Sequence, residues 1–248
     1  MMAFQVMILL AEFYSNDGHR VLLVVQKAAN LVKWMHSEIR PFLQGNILEL
    51  GSGIATYSDI LVNDFKNSRV LLSDVDSRYV AALEERFKGF RNVSCHKIDL
   101  NCASDFERIG ESVHSAVALN VLEHVRDEIS ALNNVWKVLV EGGRFVVLVP
   151  AHKFLFNSID EALGHYRRYQ SNELKQKAFK SRFKLVKMFY FNSLGVIGWY
   201  LNGNVMHKKV VSECAIGMYD KVIPLVKRFE KYVLLRRIGL SLIVVLEK

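Results

Sequence analysis

The sequence predicts an α/β fold: a mostly parallel, seven-stranded sheet with helices on both faces and a helical insertion before the last strand. Three observations predict it. Apolar runs of strand length alternate with amphipathic stretches of helix length along the 248 residues, the pattern of a sheet covered on both faces. Polar or acidic residues close successive runs, at Glu49, Asp74, Asp99 and Asn120, and ligands of open α/β sheets bind at those carboxyl ends. The run Asn46 to Leu50 breaks into Gly51-Ser52-Gly53. Strand, glycine turn and helix are the Rossmann-like parts of a nucleotide-type pocket, because glycine lets the backbone bend and a ligand lie against it.

Residues 20 to 43 read as helix: Leu31, Met35 and Ile39 recur four apart with Trp34 beside them, and Pro41 ends the run. The first strand is 46–50, and Tyr57 to Phe65 leaves the glycine turn as a helix through Ile60, Leu61 and Phe65. The second strand is Arg69 to Ser73, closing in Asp74-Val75-Asp76, with a helix from Ser77 to about Lys88. Asp74 lies 21 residues after Gly53, about the interval at which a nucleotide fold places an acid on a ribose. Strand three is Val93 to Ile98, followed by Asp99, and Ser104-Asp105-Phe106-Glu107 predicts a capping box. Strand four, Ala116 to Leu119, runs into Asn120-Val121-Leu122-Glu123-His124-Val125. A helix from Asp127 to Leu139 reaches Gly142-Gly143, and Arg144 to Val149 is strand five, stopped by Pro150.

Beyond Pro150 a loop over 151–170 is rich in titratable groups, Ser171 to Lys180 is a helix and Phe183 to Phe191 a strand. From Ser193 to about Arg237 the chain is apolar and helical, and Gly239 to Leu246 is the last strand. No repeat or linker divides it, so the expectation is one domain over 1–248. Within it, 1–45 is a helical cap, 46–150 a cofactor-binding core, and 151–248 an acceptor-side loop, helical insertion and last strands.

Composition narrows the setting. Three cysteines, Cys95, Cys102 and Cys214, without C-x-x-C spacing indicate neither a disulfide framework nor a zinc site, so no metal is expected and the setting is a reducing cytoplasm. The apolar run Met1 to Ala11 has no preceding basic residue and meets Glu12, too short to cross a bilayer that needs about 20 residues. A net charge of +8 is concentrated in the last third, at Lys208-Lys209, Lys221, Lys227-Arg228, Lys231 and Arg236-Arg237. Interleaved with apolar residues at helical spacing, these basic residues read as solvated helix faces.

Two ligand classes use a glycine turn of this kind. The dinucleotide fingerprint G-x-G-x-x-G needs glycine where Thr56 stands. Instead an acid precedes the turn, Glu49-x-Gly51-x-Gly53, which would repel a pyrophosphate and suits a ligand with cationic groups. The stretch resembles the first motif of the class I S-adenosylmethionine-dependent methyltransferases, E/D-x-G-x-G-x-G, with Ala55 in place of the third glycine. Asp74-Val75-Asp76, Asp99, Asn120 to Val125 and Gly142-Gly143 resemble the successive motifs of that family, so the resemblance covers most of the chain. His114 stands where an aspartate commonly opens strand four, and Glu141 replaces the usual proline before the paired glycines. More narrowly, Val149-Pro150-Ala151-His152, Asp160 with Gly164-His165-Tyr166-Arg167-Arg168-Tyr169, and Asn192 with Gly195 and Gly198-Trp199 resemble a group of bacterial methyltransferases often encoded beside glycosyltransferases.

The resemblance implies S-adenosylmethionine as cofactor, with Glu49, Gly51 and Gly53 at its methionine end, Asp74 at the ribose and Asp99 at the adenine amino group. Asp76 and Asn120 complete that set, although Asp76 also suits the cap of the helix after strand two. Methyl transfer needs positioning and, for a hydroxyl acceptor, a proton acceptor. His124, His152 and His165 are the candidates. Of these His165 is the foremost, with Asp160 to orient it and Tyr166, Arg167 and Arg168 to grip an acceptor, and a structural network among the same residues is the competing reading. The expected acceptor is a small molecule, a sugar or a lipid-linked compound methylated on oxygen. The three prolines, Pro41, Pro150 and Pro224, exclude an Asn-Pro-Pro-Tyr loop, so nucleic acid is not expected. The apolar insertion with its basic fringe suggests a lid over an amphiphilic or lipid-linked acceptor with peripheral contact at the inner membrane surface, core packing of Trp199, Met206 and Phe229 being the competing reading, and the resemblance implies a glycosyltransferase partner. A non-catalytic methyltransferase-fold partner of a glycan-assembly enzyme is the alternative.

Overall fold

The structure is a computed structural model and describes residues 17–210, 212–232 and 236–248. The apolar run Met1 to Ala11 lies outside the described residues. Helices α1 (Asp17–Gln26) and α2 (Ala29–Ile39) are followed by β1 (Ile47–Leu50), α3 (Ser58–Asp64), β2 (Val70–Asp74), α4 (Ser77–Arg86), β3 (Val93–Lys97), α5 (Ala103–Glu107) and β4 (Val113–Leu119). Then come α6 (Glu128–Val138), β5 (Leu139–Pro150), α7 (Ser158–Leu163), α8 (Ser171–Lys180), β6 (Lys184–Phe191), α9 (Ser193–Trp199), a π-helical stretch (Tyr200–Val205), α10 (Glu213–Tyr232) and β7 (Ser241–Glu247).

The sheet has seven strands in the order β3-β2-β1-β4-β5-β7-β6. The first five are parallel, and β7 is antiparallel to both β5 and β6. Alternate residues face opposite sides. Leu48, Leu50, Leu71, Val147, Val149 and Val244 meet α5, α6 and α8 through Phe106, Leu132, Val135 and Leu174. Ile47, Val70, Leu72, Val146, Leu148 and Ile243 meet α2, α3, α4 and α10 through Trp34, Leu61, Leu83 and Ile223. The predicted architecture is therefore the one observed.

Four local expectations are corrected. The helix over 20–43 is two helices, broken where Ala28 leaves helical geometry at φ −86° and ψ 66°. No capping box opens α5; its N-cap is Cys102, while Asp105 Oδ2 accepts the Asp99 amide at 3.0 Å. Gly142-Gly143 does not cap α6, which ends at Val138 with Leu139 as its C-cap. The two glycines bend β5, with Gly142 at φ +71°, as it pairs with Lys248 at the chain's end. The loop after β5 contains α7, opened by a reciprocal cap between Asn157 and Asp160.

The insertion is docked rather than free-standing. Asp220 of α10 accepts the amides of Asn30 and Leu31 at 3.1 and 2.9 Å, supplying the N-terminal cap that α2 lacks from its own chain neighbours. Glu230 accepts the amides of Asn192 and Ser193 at 3.1 and 2.6 Å and so fixes the start of α9. The outer face of α10 stays exposed: Met218, Val222, Leu225, Phe229 and Tyr232 form an apolar stripe at helical spacing. No helix among the described residues is long and apolar enough to cross a membrane.

Candidate active site

The parallel strands deliver Glu49 to Gly53, Asp74, Asp99, Asn120 and His152 to one edge of the sheet, their carboxyl ends. A groove of about 850 Å³ between α8 and the start of β6 lies at the opposite edge and holds none of the predicted site residues.

The glycine turn keeps the geometry that its motif requires. Gly51 and Gly53 have φ of +74° and +51°, and a Cβ at Gly51 would stand 2.4 Å from Val121, so no side chain fits there. Ala55 also takes φ +68°. Glu49 is buried, and its Oε2 accepts the hydroxyls of Ser52 at 2.8 Å and Ser58 at 2.5 Å. Burial pushes its carboxyl up to about 7, although both serines pull the other way. Asp74 at the end of β2 accepts the amides of Gly53 at 2.9 Å and Asp76 at 3.0 Å. It therefore holds the turn as well as lying beside it, and burial raises its pKa.

Asp76 is engaged elsewhere: it caps α4 by accepting the Arg78 amide and is paired with the Arg78 guanidinium, which lowers its pKa. Asp99 is exposed, one oxygen accepting the Asn101 amide at 2.9 Å. Asn120 is exposed at φ +54°. Sequence reasoning missed two features of this cradle. Thr56 Oγ1 is buried without a partner, and α1 crosses the turn, its Leu22 Cδ1 lying 3.5 Å from where a Gly53 Cβ would be. His114 packs against Gly45 and accepts the Asn46 amide at 3.3 Å, which explains its place at the strand-four entrance.

A second group lies on the loops after β4 and β5. Asp160, with no exposure, accepts both contacts of Arg168 Nε at 2.9 Å, His165 Nδ1 at 2.7 Å and Trp199 Nε1 at 3.3 Å. Burial alone would raise its pKa, but His165 and Arg168 prevail and it lies below the usual carboxylate range. Arg168 is placed differently from an acceptor grip. It is 2% exposed, pinned to Asp160 and the Ala151 carbonyl, with its guanidinium over the Trp199 ring at 4.6 Å. Arg167 pairs with Glu128 and the Arg126 carbonyl, and Tyr166, half exposed, accepts from Arg126 at 2.9 Å. His152 stacks on Tyr190 at 5.0 Å with φ +65°.

His165 Nε2 faces Glu123 Oε1 at 3.8 Å, and its ring meets His124 edge-on at 4.7 Å. Glu123 has no exposure and neither of its oxygens has a donor; burial pushes it up to about 8, with Arg168 opposing. His124 reaches solvent as a residue, yet desolvation of its ring, aided by His165, holds it down to about 4. The sequence signal for Glu123 was available, since it sits beside His124 in the strand-four motif.

Residues 48–145, from β1 into β5, match the family described as a methyltransferase domain. A Dictyostelium discoideum protein named "Probable polyketide synthase 42" is 25% identical over 144 residues, which are 50% of this chain and 5% of that protein. The solved structure of coclaurine N-methyltransferase bound to N-methylheliamine and S-adenosylhomocysteine superposes with a TM-score of 0.58 at 12% identity, covering 89% of this chain and 72% of that one. The carbon methyltransferase CurJ superposes with a TM-score of 0.54 at 13% identity, covering 86% of this chain and 50% of that one. The chain thus spans half or less of two of these relatives. The matched domain and the fold imply S-adenosylmethionine as cofactor, and the cradle fits it. The turn rejects a Cβ at Gly51, Glu49 brings a carboxyl to it, and Asp99 is exposed at the end of the neighbouring strand with one oxygen accepting the Asn101 amide.

Proposed function

With residues 48–145 a methyltransferase domain, we propose that the chain transfers a methyl group from S-adenosylmethionine to the oxygen of a small-molecule, sugar or lipid-linked acceptor, in the cytoplasm at the inner membrane surface. The observation that carries the transfer is the meeting at one sheet edge of the Glu49–Gly53 turn and Asp74 with the cluster of Glu123, His124 and His165. Bound S-adenosylmethionine supplies a methyl group on a positively charged sulfur. The chain's own residues do the rest. Asp74 accepts the ribose hydroxyls, Asp99 the adenine amine, and Glu49 sets a negative charge near the ligand's cationic end. Asp160 is a positioning residue that fixes the His165 ring, and the cluster around His165 manages the proton of the acceptor hydroxyl.

The lipid-linked choice is supported by the apolar stripe of α10, by exposed Ile197, Leu201 and Val205 in the preceding helical segment, and by exposed Lys221, Arg228 and Lys231 on α10 itself. A glycosyltransferase partner, with membership of the bacterial group encoded beside such enzymes, belongs to the same reading and rests on the motif resemblance. Labelled methyl donor incubated with the protein and an extract of cell envelope and cytosol tests the acceptor class. Label is expected in a lipid-linked or saccharide fraction, and label confined to RNA or protein would overturn that class. His165→Ala is expected to lower turnover about 10²-fold with affinity for S-adenosylhomocysteine near wild type; loss of both together would make His165 a structural brace.

A further inference from the structure

Glu123 and His124 stand on the short turn Leu122–His124 that follows β4, and His165 comes from the loop after α7. One ligand atom from each lies within 4.8 Å of the other two. Donors held at about 2.1 Å by one first-row cation stand about 3 to 3.5 Å apart, so a closure of about 1.5 Å or less brings all three into one coordination sphere. Independent observations point the same way. Glu123 is a wholly buried carboxyl whose two oxygens have no hydrogen-bond partner, so both stay available as ligand atoms, and a bound cation would offset the cost of ionising the group there. His165 Nδ1 is fixed on Asp160 at 2.7 Å, which turns Nε2 toward Glu123, at 3.8 Å. A carboxylate behind the imidazole is the outer shell that metal-bound histidines carry.

We propose that Glu123, His124 and His165 form a binding site for a divalent first-row transition cation, with its remaining coordination positions open on the solvent side that His124 reaches. Two imidazoles and one carboxylate suit zinc, cobalt, manganese or iron better than magnesium, which prefers oxygen donors. The site itself does not depend on the methyltransferase reading; its use does. Under that reading the cation would bind the acceptor's hydroxyl oxygen and make it more acidic, the proton passing to solvent while the oxygen takes the methyl group.

Cobalt(II) is the probe. Metal-free full-length protein titrated with cobalt(II) should develop a visible d–d band at one equivalent and gain thermal stability. Glu123→Gln, nearly isosteric, should lose about 100-fold or more in cobalt affinity, and His165→Gln should do likewise. Calorimetry with S-adenosylhomocysteine on the same samples reports whether the cradle is intact. No band in wild type with S-adenosylhomocysteine still bound would overturn the metal site and leave the methyltransferase reading untouched. A band of unchanged affinity in Glu123→Gln would also overturn it, by placing the cobalt on other histidines. Should His165→Gln fail to fold, Glu123→Gln decides alone.

Discussion

Ala55 holds φ +68° in the turn after β1, a conformation that costs an ordinary residue about 1 to 2 kcal/mol. Replacing it with glycine relieves that strain and adds about 0.4 to 1 kcal/mol of unfolded-state entropy. Ala55→Gly should therefore raise stability in urea by up to about 1 kcal/mol, and a clear loss would mean that the turn is built otherwise. Glu49 carries a pH dependence. Its folded pKa is raised to about 7 from an ordinary 4.5, so the folded protein keeps a proton that the unfolded chain releases. This contribution is present below pH 4.5 and is lost as pH rises to 7, on the order of 3 kcal/mol. Binding of a cationic ligand responds in the opposite sense: affinity for S-adenosylmethionine should rise as pH passes through 7. Glu49→Gln should flatten that rise in calorimetry at pH 6 and pH 8, and an equally steep rise in the variant would remove Glu49 from the cradle. Glu49, Asp74 and Asp99 were legible in the sequence because a strand end fixes where they must lie. The burial of Arg168 and Glu123 was not legible, although both stand in motifs the sequence shows, because their surroundings come from Asp160, Trp199 and His165, brought together only by folding.

Helix starts record how the elements hold one another. The first turn of α2 takes its acceptor from Asp220, 189 residues beyond Leu31, and at the start of α9 Glu230 accepts the Ser193 amide beside the local cap of Gly195 by Asn192. Truncation to Asp220→Ala removes a cap and should cost about 1 to 2 kcal/mol in urea unfolding; a loss under about 0.5 kcal/mol would mean that water replaces it. Such long-range caps leave no local signal, which is why the break between α1 and α2 was read as continuous helix. The helix α7 escaped for a different reason. Its six residues show too little periodicity to read, although Asn157 and Asp160 stand at the spacing of a reciprocal cap. By contrast α8 was legible to the residue, Ser171–Lys180, since a polar start and its buried Leu174 and Ala178 agree at helical spacing.

Across the whole molecule, five parallel strands in the order β3-β2-β1-β4-β5, completed by the antiparallel β7 and the edge strand β6, place the acidic ends of β1, β2 and β3 on one side. Alternating strands and helices made that architecture legible, because short right-handed connections allow few other arrangements. The contacts of the insertion were not legible, since its apolar residues divide between a buried face at Ile223 and Val226 and an exposed stripe at Leu225 and Phe229. The central claim is that this sheet edge is a cradle for S-adenosylmethionine, and calorimetry with S-adenosylhomocysteine on wild type and Asp74→Ala tests it most directly. The account predicts one site per chain in wild type, weakened by about 1 to 3 kcal/mol, or about 5- to 150-fold, in a variant that remains folded. No binding by folded wild type, or the same Kd in both proteins, would contradict it.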